Sequence, residues 1–311
     1  MATTLKGRDF LTVHEWSRED LEQLLDTAAL LKMRQKMGLI DRPLEGKTLG
    51  MIFSKPSTRT RLSFQVGIYQ LGGQGLFLSA SDLQLRRGET VADTARVLSR
   101  YLDGIMIRTS AHADVEELAH YAIIPIINGL TDWQHPCQAM GDLMTIREKK
   151  GRLAGVKLAY VGDGNNVCHS LLEAGAKFSM HVAVACPPGY EPDRAVAARA
   201  QADAEAHGGR IEILPGNVEA AVSGADAVYT DVWASMGQES EAAAKAAALA
   251  DYQVNDSLLA LARPDAIFLP CLPAHRGEEV TDSVMDGPHS AVWDEAENRL
   301  HLQKALMALV M

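Results

Sequence analysis

The chain has 311 residues, 47% apolar and 23% charged, which suits one large or two medium globular domains with a full core. Its formal net charge of −10 argues against a general nucleic-acid or membrane-surface binder, since both need a net basic face, but leaves room for a small basic pocket. No apolar run approaches the ~20 residues of a membrane span, and Met1 to Trp16 contains no apolar h-region of a signal peptide.

In chain order, Ser17 reads as an N-cap with Asp20 three residues on, and Leu21, Leu24, Leu25, Ala28 and Leu31 keep helical spacing behind it. Asp41 to Lys47 is a turn, and TLGMIF from Thr48 is a short apolar strand. A hydroxyl- and arginine-rich stretch follows, and Leu62, Val66 and Tyr69 then line one face of a helix expected to stop at Gly72-Gly73. Strand-like QGLFLS, GIMIRT and AIIPIING alternate with helical TVADTARVLSRYL and DVEELAHYA. A long helix is predicted from Pro136 to Lys150. A second series of strands follows in VKLAYVGDG, HVAVAC, RIEIL, DAVYTDV and DAIFLP, and AENRLHLQKALMALV is a last helix with no strand after it. Short apolar strands alternating with amphipathic helices indicate parallel α/β sheets. The reading is two doubly wound α/β domains with parallel central sheets, residues 1–133 and 150–290, joined by an interdomain helix at 134–149. The final helix, 293–311, is expected to pack back on the first domain. The alanine-rich stretches 195–206 and 242–250 read as surface helices.

The stretch SKPSTRTR places Ser57, Thr58, Arg59, Thr60 and Arg61 between a strand and a helix N-terminus. Unsatisfied N–H groups and the helix dipole favour an anion there, hydroxyls add donors, and a guanidinium fork matches phosphate. The plain alternative is an ordinary helix cap with solvated arginines. A P-loop is excluded by the absence of GxxxxGK[ST]. Arg108 follows the GIMI strand, at the edge where open α/β sheets hold ligands. His135 and Gln138 flank Pro136 at a helix start. His135 could donate to an oxyanion and Gln138 could read an amide, although a capping cluster has the same composition. Cys137 lacks an obvious base and is a poor nucleophile candidate. The four cysteines, Cys137, Cys168, Cys186 and Cys271, follow no zinc spacing and make no disulfide scaffold, so reduced thiols in a cytoplasmic setting are expected. YVGDGNNV begins like a dinucleotide fingerprint, but Val167 stands at the third glycine position and the next strand ends in Cys186 and two prolines rather than an acid. A nicotinamide site is therefore disfavoured, and Asn165 or Asn166 could bind a carboxylate instead. Asp231 ends a strand and could receive an ammonium group. Cys271 lies between two prolines, with Leu272–Pro273 a candidate cis bond.

Together and in this order, the stretches resemble the aspartate/ornithine carbamoyltransferase family, most closely its ornithine branch. The SxRT(R) phosphate motif is Ser57 to Arg61 and the HPCQ motif is His135 to Gln138. The DxWxSMG signature is Asp231 to Gly237, the CLP loop is Cys271 to Pro273, and the arginine of the last helix is Arg299. The resemblance covers nearly the whole chain. One departure is Pro270, where the family usually has His.

The resemblance implies transfer of a carbamoyl group from carbamoyl phosphate to the δ-amine of L-ornithine, giving L-citrulline and phosphate in arginine metabolism. No metal or organic cofactor is implied. Carbamoyl phosphate is expected on Ser57, Thr58, Arg59, Thr60, Gln84, Arg108 and Arg299, with its carbamoyl group near Thr60, Arg108, His135, Gln138, Cys271 and Leu272. Ornithine is expected between the domains on Asn166, Asp231, Ser235 and Met236. Arg108, His135, Asp231 and Cys271 are the expected catalytic set. A cytoplasmic homotrimer is implied, without nucleic-acid or membrane partners. The alternatives are a carbamoyltransferase for aspartate or an N-acylated ornithine, and a non-catalytic anion-sensing homologue.

Overall fold

Thr48–Phe53 (β1) is buried from Leu49 onward. A strand covered on both faces carries apolar side chains in succession rather than in alternation, as parallel sheets sandwiched by helices require. The computed structural model describes residues 4–83, 88–234 and 239–311, and they form two compact units.

The first unit comprises residues 1–141 and 297–311. Arg18–Lys36 (α1) starts at the Ser17 cap, whose hydroxyl accepts from the Asp20 N–H, and carries acids in its first turn and bases in its last, as the helix dipole favours. β1 leads through Arg59–Gln70 (α2) to Gln74–Ser79 (β2), then Val91–Leu98 (α3), Gly104–Arg108 (β3), His112–Tyr121 (α4) and Ile126–Leu130 (β4). All pairings are parallel and the order is β2-β1-β3-β4. Leu11, Ile52, Ala95, Ile105, Ile107, Val115 and Ile126 make one face of its core. Each such aliphatic side chain removed from water contributes on the order of 1.5–3 kcal/mol.

The second unit comprises residues 142–296. The division falls inside Pro136–Lys150 (α5) and again inside the last helix. Lys157–Val161 (β5), Asn166–Lys177 (α6), His181–Ala185 (β6), Arg194–His207 (α7), Arg210–Ile213 (β7), Val218–Val222 (α8) and Ala227–Thr230 (β8) follow in turn. Ala242–Leu249 (α9), Asp256–Leu259 (α10), Ile267–Pro270 (β9), Asp282–Met285 (α11) and Val292–Val310 (α12) complete the chain. The sheet is parallel in the order β7-β6-β5-β8-β9. Among the described residues no helix is long and apolar enough to cross a membrane.

One expectation is corrected. α2 buries Thr60, Phe64, Gly67 and Ile68, while Leu62, Val66 and Tyr69, the face read as apolar from sequence, are exposed. The reason is close helix packing. A Cβ at Gly67 would lie 2.9 Å from Met307 Cε and 3.1 Å from Lys304 Cγ, so α12 approaches α2 along its glycine. Burial follows the Phe64–Gly67–Ile68 face that meets α12, and Leu62, Val66 and Tyr69 are left exposed, as are Leu76 and Phe77 of edge strand β2. The alanine-rich helices are also only partly superficial: α7 buries Val196, Ala200 and Ala204, and α9 buries Lys245 and Leu249.

Candidate active site

In an open α/β sheet, ligands bind beyond the carboxyl ends of strands, where the chain reverses its direction of winding. In the first unit that point lies between β1 and β3. The Ser54 N–H donates to the Arg108 carbonyl at 2.9 Å, and the Ser54 hydroxyl reaches Thr109 Oγ1 at 3.3 Å. One strand away, the Thr109 N–H donates to the Leu130 carbonyl at 3.1 Å. The ends of β1, β3 and β4 are thus laced together. This brings the 54–60 loop, Arg108 and the 131–138 turn to one margin.

The cationic groups converge there. Arg299, on α12, donates from Nη2 to Thr60 Oγ1 at 2.9 Å, and its Nε is buried without an acceptor among the described residues. Thr60, Arg108, His135, Gln138 and Arg299 are all buried. Burial, followed by the positive charges of Arg299, Arg108 and Arg59, holds His135 well below its ordinary value of 6.5, so the imidazole is neutral at physiological pH. A neutral ring beside three guanidiniums can donate a hydrogen bond without adding charge. Cys137 is pushed up to about 12, chiefly by burial and against the pull of Arg299, and its Sγ donates to the Asn128 carbonyl at 3.4 Å. It is a packing thiol, in keeping with the sequence argument. Ser57 is half-buried, and Thr58, the residue before α2, is exposed and makes no side-chain cap bond. Gln84 lies outside the described residues.

In the second unit the reversal lies between β5 and β8. Asn165 caps α6, accepting from the N–H groups of Val167 and Cys168, and donates from Nδ2 to Asp231 Oδ2 at 2.7 Å. Asn165 is thereby spent on positioning. Asn166, its neighbour, is buried at the first turn. Burial pushes the Asp231 carboxyl from 3.8 up to about 7, against hydrogen bonds from Asn165 and the Val232 N–H and with the charges of Glu279 and Asp163 adding to the rise. The Cys271 N–H donates to the Thr230 carbonyl at 3.1 Å, setting the thiol one strand from Asp231. The Leu272–Pro273 bond is cis. Ser235 and Met236 lie outside the described residues.

Sequence reading missed two residues here. Asp163, in the turn before Asn165, pairs through Oδ2 with Lys245 Nζ at 2.5 Å, and both side chains are nearly buried. Lys245 lies on α9, read from sequence as a surface helix; a single lysine within AAAKAAAL was the available signal. The glycines of this turn serve backbone packing. A Cβ at Gly164 would lie 2.2 Å from the Pro192 nitrogen, and Gly162 has φ +146.

Comparison with known proteins agrees with this layout. Residues 8–148 match the aspartate/ornithine carbamoyltransferase carbamoyl-P binding domain, and residues 154–310 match the Asp/Orn binding domain of the same family. The chain belongs to the aspartate/ornithine carbamoyltransferase family. Within this family it is 64% identical over 309 residues to an ornithine carbamoyltransferase of Symbiobacterium thermophilum, covering 99% of each chain. It is 58% identical to the anabolic ornithine carbamoyltransferase of Pyrococcus furiosus over 311 residues, 100% of this chain and 98% of that one. The solved structure of ornithine carbamoyltransferase from that organism superposes with a TM-score of 0.97 over 99% of this chain and 98% of that one.

Proposed function

We propose that the protein transfers the carbamoyl group of carbamoyl phosphate to the δ-amine of L-ornithine, forming L-citrulline and phosphate for arginine biosynthesis. The observation that carries this reading is the presence in one chain of two unlike clusters, each at the reversal point of its own sheet. One is built from Arg59, Arg108, Arg299 and neutral His135, and the other from the buried carboxyl of Asp231. The first suits a phosphorylated acyl donor and the second an amino acid with a free α-ammonium.

Phosphate rests on Ser57, Thr58, Arg59 and Thr60 at the N-terminus of α2, with Arg108, Arg299 and Gln84. The carbonyl oxygen faces Thr60, Arg108 and His135, and the carbamoyl NH₂ donates to Gln138 and to backbone carbonyls at Cys271 and Leu272. Attack by the amine turns the carbonyl into a tetrahedral oxyanion, for which these donors are in place before reaction. One such donor is worth about 3–4 kcal/mol of barrier. Because His135 is neutral, it stabilises the oxyanion by hydrogen bonding while the guanidiniums supply the charge.

Ornithine holds its α-ammonium against Asp231, with Asn166, Ser235 and Met236 at its α-carboxylate. A free alkyl ammonium has a pKa of about 10.4, so the δ-group must shed a proton before it attacks. Cys271 helps aim it, and the departing phosphate accepts a proton as the tetrahedral species collapses. Asp231 favours ornithine over an N-acylated ornithine, which lacks the cation that this buried carboxyl would pair. Residues 1–133 with 293–311 serve the donor, 150–290 serve the acceptor, and 134–149 joins them.

Leu62, Tyr69, Leu76 and Phe77 are exposed apolar side chains of the first unit, and subunit contacts in a homotrimer would cover such residues. Four free, buried thiols suit the cytoplasm.

Steady-state assays with ornithine, N-acetylornithine and aspartate test the reading. Citrulline forms with ornithine alone; turnover of another amine in its place overturns the assignment. Arg59→Ala abolishes carbamoyl phosphate binding, whereas Asp231→Ala mainly raises the ornithine requirement. Equal losses for both ligands in both variants contradict the separate half-sites.

A further inference from the structure

The segment HRGEEV, from His275 to Val280, follows the Cys271–Pro273 loop and takes no part in the chemistry above. We propose that His275, Glu278 and Glu279 form a divalent transition-metal site. Their ligand atoms, one imidazole nitrogen and two carboxylate oxygens, lie within 4.8 Å of one another. Glu279 is fully buried, a rare position for a carboxylate. Its Oε1 accepts from the His275 N–H at 2.6 Å. Its Oε2 is buried with no hydrogen-bond partner among the described residues and lies 3.6 Å from His275 Nδ1, so it is aimed into the cluster. A buried acceptor left without a donor costs about 1–3 kcal/mol, more when charged, and a bound cation removes that penalty.

The turn is built to hold these groups together. The Glu278 N–H donates to the His275 carbonyl at 3.0 Å, and the Gly277 N–H to the Val280 carbonyl at 2.8 Å. Gly277, at φ +89, supplies the left-handed residue that folds the chain back. Gln253 Nε2 pins the Gly277 and Glu278 carbonyls at 2.9 and 2.8 Å. Arg276, the cation within the segment, is engaged with Asp282 at 2.7 Å and Asp286 at 2.6 Å. The cation of the segment is therefore directed away from the two adjacent carboxylates and the imidazole.

A mixed nitrogen and oxygen set suits Zn²⁺, Co²⁺ or Ni²⁺ better than Ca²⁺, which takes six to eight oxygens. His275 and Glu278 are exposed, so an ion can enter and water can complete its shell. A bound ion ties the two ends of the turn together just beyond Cys271 and Leu272.

The test is titration of chelator-treated full-length protein with Co²⁺, followed by calorimetry and visible absorption. The expected result is one ion per chain with a nitrogen/oxygen ligand-field spectrum, and affinity weakened about tenfold or more in His275→Ala and in Glu278→Gln. Absence of saturable binding, unchanged affinity in both variants, or a thiolate charge-transfer band showing cysteine ligation overturns the proposal. Urea midpoints of the metal-free variants separate lost binding from lost folding. If His275→Ala fails to fold, Glu278→Gln decides.

Discussion

The Asp231 carboxyl is held near pH 7 by burial, so its ability to receive an ammonium group is itself pH-dependent. Below that pH the carboxyl keeps its proton and offers no charge; above it the carboxylate is available. L-norvaline isolates this effect, because it keeps the α-ammonium and α-carboxylate of ornithine but has no δ-amine to titrate. With a pKa of about 7, one carboxyl in about eleven is ionised at pH 6 and nearly all at pH 8. The inhibition constant of norvaline against ornithine, at saturating carbamoyl phosphate, rises about tenfold from pH 8 to pH 6, equivalent to about 1.4 kcal/mol. His135 adds nothing to this slope, since its pKa lies well below the ordinary 6.5 and the ring stays neutral over the range. Asp231→Asn binds norvaline weakly and without the slope. A flat profile in the unmodified protein, or the same slope in Asp231→Asn, refutes the assignment of the α-ammonium to Asp231.

The same shift has a signature in folding. Between pH 3.8 and about 7 the folded chain keeps a proton that the unfolded chain has released, so stability falls as pH rises through that window, by about 4 kcal/mol at pH 8; Asp231→Asn therefore raises the ligand-free urea midpoint at pH 8, and the gain shrinks as pH is lowered. His135→Gln lowers kcat by about two to three decades while removing no limb from the kcat profile between pH 6 and 8, and loss of a limb near 6.5 contradicts a neutral donor. Lys245→Met leaves Asp163 as a buried charge without its 2.5 Å ammonium and destabilises by about 3–5 kcal/mol in urea melts, with most of the loss recovered in Lys245→Met/Asp163→Asn. Gly164→Ala sets a Cβ against the Pro192 nitrogen at 2.2 Å and displaces the turn that carries Asn165 to Asp231; norvaline binding is lost, while calorimetry shows carbamoyl phosphate binding retained.

The order of strands and helices was legible because the strands are continuous apolar runs and each helix carries local signals, such as the Ser17 cap on α1 or the glycine that ends α5. Local chemistry also marked Arg59, Arg108, His135 and Asp231, since each stands at a strand end or helix start where an α/β sheet exposes its ligand edge. What tertiary structure decided was which faces meet. On α2 the sequence set Leu62, Val66 and Tyr69 on one face, but it is the face with Thr60, Phe64, Gly67 and Ile68 that is buried, where α12 approaches along Gly67. Lys245 looked solvated in an alanine helix until Asp163, 82 residues away in sequence, was found opposite it. The electrostatics belong to the same class. The sequence contains a histidine and an aspartate, but it is burial beside three guanidiniums that lowers His135 well below its ordinary value, and burial with nearby carboxylates that lifts Asp231 to about 7. Propensity and patterning act over a few residues and are written in the chain. Desolvation and charge coupling depend on neighbours brought together by folding, and so become readable only in three dimensions.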